Sequence, residues 1–194
     1  MNARDTFPIL LLIARPAAGK SEIIHFLSQV AVPERIARFH VGELSQIDDF
    51  PMLWTWFEED ALLSQMGKPR LYTDQDGYFL YPYFWDLLVE RISLEYQKHQ
   101  RELKNQHQAT VILEFSRGKE HGGYAQAFQH LSHAILESLA IVYVKVSWEE
   151  SLRKNRKRYN PERSDSILEH SIPDRKLERL YRKCDWAEVT AGNP

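Results

Sequence analysis

Four stretches of the chain are rich in apolar residues, and helical patterns separate them. They lie at 7–13 (FPILLLI), 36–41 (IARFHV), 109–115 (ATVILEF) and 140–146 (AIVYVKV). Three are near-continuous apolar runs, the pattern expected of strands buried on both faces of a sheet. Between them, apolar positions recur at helical spacing. Ile23, Ile24, Phe26, Leu27 and Val30 mark a helix over 21–30, and Leu53, Trp54, Phe57, Leu62 and Leu63 mark another over 51–66. Leu87, Leu88, Ile92 and Leu94 open a long helix over 83–104 whose second half is charged. Further helices are predicted at 123–139, 148–159 and 174–184. Gly67-Lys68-Pro69 and Asp74 to Gly77 are turn signals. Strands alternating with helices predict an α/β fold, a parallel sheet with helices on both faces. In such a sheet, ligands bind beyond the carboxyl ends of the strands.

Composition narrows the class. The 194 residues predict a single domain over 1–194 with a small lid or insertion. With 43% apolar and 27% charged residues, a folded globular protein is expected. The net charge of −2 makes nucleic acid an unexpected general partner. Cys184 is the sole cysteine, which excludes an internal disulfide and fits a reducing cytoplasm. No segment reaches the ~20 apolar residues of a membrane span. The apolar stretch from Phe7 to Ala14 is not read as a secretion signal, because Pro8 interrupts it and Asp5 lies in its flank.

The first strand runs into Ala14-Arg15-Pro16-Ala17-Ala18-Gly19-Lys20-Ser21, and a helix follows at once. A strand, a small-residue loop ending in Gly-Lys-Ser and a helix make the context in which a phosphate-binding loop works. Main-chain N–H groups of the loop and the positive end of the helix dipole attract phosphate oxygens. Lys20 is expected to reach the β- and γ-phosphates, and the Ser21 hydroxyl to ligate Mg²⁺. Ala14 stands where such loops usually carry Gly, and its Cβ resists very close approach.

Other candidates follow the later strands. Glu114 closes the 109–115 run where an acid would hold Mg²⁺, with Arg117 three residues on. The alternative is a strand-end pair that merely solvates. After the last strand, Arg153, Lys154, Arg156, Lys157, Arg158 and Arg163 crowd one segment. Part of this serves the helix dipole, but the surplus suits phosphoryl transfer, with Arg156 and Arg158 favoured. Arg153 and Arg156, like Lys154 and Arg158, are spaced to share a helix face. Residues 153–172 read as a lid. Residues 42–108 read as a helical insertion that builds the acceptor site. Its acids Glu43, Asp48, Asp49, Asp74 and Asp76 could take a proton from an acceptor hydroxyl, and Glu43 has the best topological position. The region's many aromatics could stack a ring, although most suit a core. His121 lies on a Gly-rich loop and has no second His or Cys at metal-ligand spacing.

These pieces resemble the phosphate-loop kinases of the nucleoside and nucleotide kinase group. ARPAAGKS is similar to their phosphate loop. ILEFSRG resembles the acid-then-arginine signature of adenylate and deoxynucleoside kinases, with a spacing that copies neither. VSWEESLRKNRKR resembles the segment that delivers arginines to a lid. The resemblance implies the three-layer phosphate-loop NTPase fold, with strand order 2-3-1-4 and a fifth strand short or absent. It implies Mg²⁺-ATP as donor, bound by residues 14–21, with Ser21 and Glu114 at the metal. Arg117 would meet the acceptor, and the basic helix the transition state. The expected activity is γ-phosphoryl transfer to a small hydroxylated or phosphorylated acceptor, a nucleoside or nucleotide foremost. A nucleotide-binding regulatory module, a kinase of nucleic-acid ends and an ATPase using water remain alternatives.

Overall fold

The computed structural model describes residues 5–102, 108–158 and 171–192. Its order is β1 (Ile9–Ala14), α1 (Lys20–Gln29), α2 (Val32–Phe39), β2 (Glu43–Asp48), α3 (Asp49–Gln65), α4 (Tyr83–Glu102) and β3 (Ala109–Phe115). A 3₁₀ turn, Lys119–His121, precedes α5 (Gly123–Gln129), α6 (His133–Leu136), β4 (Leu139–Val144), α7 (Trp148–Arg158), α8 (Asp174–Tyr181) and α9 (Trp186–Val189). The four described strands form one sheet ordered β2-β3-β1-β4, and every neighbouring pair is parallel.

Both faces of β1 are apolar, so every one of its residues can be buried. Ile9, Leu11 and Ile13 point to one face, where Val111, Leu113 and Phe115 of β3 meet Val89 and Ile92 of α4 and Tyr124 of α5. Leu12 and Ile112 point to the other, against Leu27, Ile23 and Ile24 of α1. Helices therefore cover both sides of the sheet, as the alternating pattern predicts.

The second strand differs from the expectation. Residues 36–41 lie in the end of α2 and its exit, and β2 is the polar stretch Glu43–Asp48. Pro33 in the first turn, Glu34 near the amino end and Arg38 near the carboxyl end all favour a helix here. Buried Arg35 locks it by donating to Leu27 O, Val30 O and Gly42 O. β2 is an edge strand with mixed exposure, so it carries no apolar run to betray it. Glu43 therefore begins β2, paired in register with Ala109 at the start of β3. That is the wrong end of the sheet for a catalytic acid, and Glu43 is exposed there.

The expected 123–139 helix is instead α5 and α6 with a turn between, and Leu139 already belongs to β4. The Ser93 hydroxyl fixes that turn, donating to His130 O and accepting from Ser132 N. Residues 159–170 of the expected 153–172 lid, Arg163 included, lie outside the described residues. Among the described residues, no helix is long and apolar enough to cross a membrane.

Candidate functional site

A cavity of about 1720 Å³ opens beyond the carboxyl ends of β1, β2 and β3. The β1–α1 loop and α7 form one side of it. Asp48, Glu114, Ser116 and Arg117 form the base, and α3 with the 77–85 segment forms the far wall.

The β1–α1 loop turns through two left-handed residues, Ala17 at φ 56° and Gly19 at φ 105°. Gly19 suits this conformation; Ala17 carries a Cβ into it, at a cost of order 1 kcal/mol. The loop is held from outside. Ser151 Oγ on α7 donates to Pro16 O at 2.8 Å. Arg15 donates to Val146 O at 3.0 Å, Arg182 O at 3.3 Å and Tyr181 O at 3.4 Å. The Arg15 guanidinium is thus a brace, and it does not line the cavity as a nucleotide ligand would. Ala14 does not line it either. It is the fully buried last residue of β1, its carbonyl taken by Tyr124 Oη. Of the expected 14–21 loop, residues from Pro16 to Ser21 face the space.

Lys20 opens α1, with 9% of its surface exposed. Its Nζ donates to Ser116 Oγ at 2.8 Å and lies 3.5 Å from Glu114 Oε1. Gln46 donates to the other Glu114 oxygen at 3.3 Å. Burial raises the Glu114 pKa, with Lys20 and Arg158 opposing. Asp48 sits beside Glu114 in register on β2. Burial, then the charges of Asp49 and Glu114, push its pKa up to about 7, although its Oδ1 accepts from Phe50 N and so caps α3. Asp49 is neutralised by Arg117 at 2.6 Å, and both are buried. Arg117 also donates to Ser116 O and Trp85 O, and lies over the Trp85 ring at 5.3 Å.

The basic helix splits by face. Arg153, Lys154, Lys157 and Arg158 line the cavity; Lys154 Nζ comes within 3.6 Å of the Cβ position at Gly19. Arg156 is turned away, gripping Asp174 with two donors at 2.6 and 2.9 Å, so it is not a cavity residue. One helical step of about 100° per residue accounts for the difference. Of the two favoured arginines, Arg156 and Arg158, only Arg158 lines the cavity. Glu43 stood ahead of Asp48 as the candidate acid because residues 36–41 imitate the strand that 43–48 forms.

Aromatic residues make the far wall. Trp85 is stacked on His121 at 3.7 Å between ring centres, and Phe79 meets its edge at 4.8 Å. His121 is core: 4% exposed, its pKa pushed down to about 2 by burial and the Arg117 charge. Asp74 serves its own turn, accepting from Tyr78 N at 2.8 Å. Among the described residues, no group of three His, Cys, Asp or Glu is arranged to hold a metal alone. Ser21, Asp48 and Glu114 are nonetheless hard oxygen donors on one cavity, suited to sharing a cation with oxygens of a bound molecule.

No family model matches the chain. No curated protein matches it in sequence. A solved structure titled "Crystal structure of APE1195" is similar at 15% identity, covering 79% of this chain and 68% of that one, with a TM-score of 0.40.

Proposed function

We propose that the chain is a phosphate-loop kinase that transfers the γ-phosphoryl group of Mg²⁺-ATP to a hydroxyl of a small acceptor of the nucleoside or nucleotide kind. The observation that carries this reading is the position of Lys20. Its ammonium, at the start of a helix and beside a loop of small residues that line the cavity, is held by Ser116 and Glu114 in the space where Asp48 also lies. Phosphoryl transfer asks for this combination: cations where negative charge develops and a carboxylate that can take the acceptor proton.

In this reading, N–H groups of residues 17–21 and the Lys20 ammonium bind the β- and γ-phosphates. Lys154 and Arg158 add charge from α7 on the same side. Bound Mg²⁺ would supply charge neutralisation between the phosphates, with Ser21 and Glu114 as the residues to hold it. Asp48 accepts the proton of the acceptor hydroxyl, and its pKa of about 7 suits that task near neutrality. Arg117, already joined to Asp49, positions this acid pair and shapes the acceptor side.

The test is ATP consumption with and without nucleosides, nucleotides, sugars and short oligonucleotides. ADP formed only with an acceptor is the expected result. Lys20→Ala should lower turnover by at least about 100-fold while circular dichroism stays unchanged. Wild-type turnover in that variant would refute the donor site. Tight Mg²⁺-ATP binding without turnover on any acceptor would favour a regulatory module instead.

A further inference from the structure

One edge of the sheet is apolar and uncovered. β4 pairs with β1 on one side, and among the described residues no fifth strand joins it on the other. Its sequence, LAIVYV, holds no charge and no proline. Ile141 and Val142 are each 40% exposed, and Leu136, just before the strand, is 47% exposed. Ile141 is in register with Leu11 and Val142 with Leu12, so this exposed pair presents one side chain on each face of the sheet. Proteins blunt such an edge with lysine, proline or a bulge, because its open N–H and C=O groups template another strand.

The residues around this edge complement a second copy of it. A twofold axis perpendicular to the sheet sets two β4 strands antiparallel and keeps their faces aligned. With Ile141 on the axis, Ile141 meets its twin, and Leu139 meets Tyr143 of the other copy. Lys145 then reaches the end of the opposing strand where Glu137 lies, and Leu136 comes near Val146. Lys145 and Glu137 are both exposed. Among the described residues Lys145 has no ion pair, and Glu137 has only the exposed His133 at 3.2 Å. Centring the pair on Val142 would instead set Lys145 against Leu139 and leave both charges unmatched. The opposite edge, β2, is a poor partner, since it is polar with Glu43 and Asp48 at its ends. Pairing β4 with β2 would also repeat without closing, whereas β4 with β4 closes at two copies.

We infer that β4 is the interface of a homodimer in which two four-stranded sheets join edge to edge, antiparallel about Ile141. Six residues of strand pairing make a small contact, so the dimer is reversible, with a dissociation constant of about 1–100 μM. Antiparallel pairing leaves the two cavities at opposite ends of the joined sheet, both open, so the inference does not depend on the kinase reading.

The test is analytical ultracentrifugation of the 194-residue chain from about 1 to about 500 μM. The mass should rise with concentration from 22.9 kDa toward twice that value and stop there. A monomer throughout, which would leave the edge to a strand of another protein, overturns the inference, and so does growth beyond the dimer. Ile141→Lys sets two like charges across the axis and should weaken the dimer at least about tenfold. Unchanged dimerisation in that variant, with a wild-type circular dichroism spectrum, also overturns it. The exposed charges keep the test decisive if Ile141→Lys does not fold. Lys145→Glu and Glu137→Lys should each weaken association about threefold or more, and the two together should restore it to within about twofold of wild type. No recovery in the double variant overturns the pairing about Ile141.

Discussion

Asp48 shows how one residue ties the chemistry to stability. Its folded pKa of about 7 stands above the ordinary value of 3.8, chiefly because it is buried and then because Asp49 and Glu114 are near. Between those values the folded protein binds more protons than the unfolded chain, so stability falls as pH rises from about 4 to about 7. Asp48→Asn removes that loss. The variant should melt higher than wild type at pH 8, by about 1–2 kcal/mol equivalent, and show little difference at pH 4. Thermal unfolding at the two pH values decides; an equal difference at both would mean that the carboxyl is not titrating as argued. Activity should move the other way. A base must be deprotonated, so wild-type kcat/KM should rise with pH through an apparent pKa near 7, and Asp48→Asn should lose at least about 100-fold. A flat profile would remove Asp48 from proton transfer.

At the scale of elements, legibility followed apolar content more than burial. β1 and β3 were readable because strands buried in a parallel sheet must be apolar. β4 was readable from its apolar run although it is an edge strand with none of its residues fully buried, and the helix after β1 was readable from its spacing. β2 was not, because an edge strand half open to solvent has no such obligation, while the apolar residues of α2 imitate a strand in a short window. That single error displaced the candidate base from Asp48 to Glu43. The faces of α7 were only partly legible. Periodicity groups 154 with 158 and 153 with 156, but it cannot say which side chains reach the cavity: Arg153, Lys154, Lys157 and Arg158 do, and Arg156 does not. Packing settles that through Ser151 and Asn155, both buried: the first donates to Pro16 O, the second to Ile172 O. Lys154→Ala should therefore lower turnover at least about tenfold, whereas Arg156→Ala breaks only an exposed pair with Asp174 and should leave both turnover and stability nearly unchanged. Steady-state kinetics on both variants separates the faces, and equal losses of activity would contradict the assignment.

For the whole molecule, α8 and the residues that follow it work as a brace across the back of the site. α8 ends where the carbonyls of Tyr181 and Arg182 receive Arg15, so the β1–α1 loop leans on it. The chain then returns to the core. Asp185, 6% exposed, accepts from Tyr124 N at 2.9 Å and Ala125 N at 3.0 Å, which caps the start of α5. Gly123 makes room for this: at φ 75° its missing Cβ would lie 2.2 Å from Asp185 Oδ2. Trp186 stacks on Tyr143 of β4 at 4.8 Å and meets Tyr124 at 5.9 Å. The carboxylate of Asp185 thus joins the last helix to the core face of the sheet, and loss of it should be felt globally. Asp185→Ala leaves the buried Tyr124 N–H and the partly buried Ala125 N–H without their acceptor and should cost about 2 kcal/mol in urea unfolding. Asp185→Asn keeps one acceptor oxygen and should cost about half as much. A loss below about 0.5 kcal/mol for the alanine variant would mean that α9 is a passenger, and that Arg15 and the site stand without it.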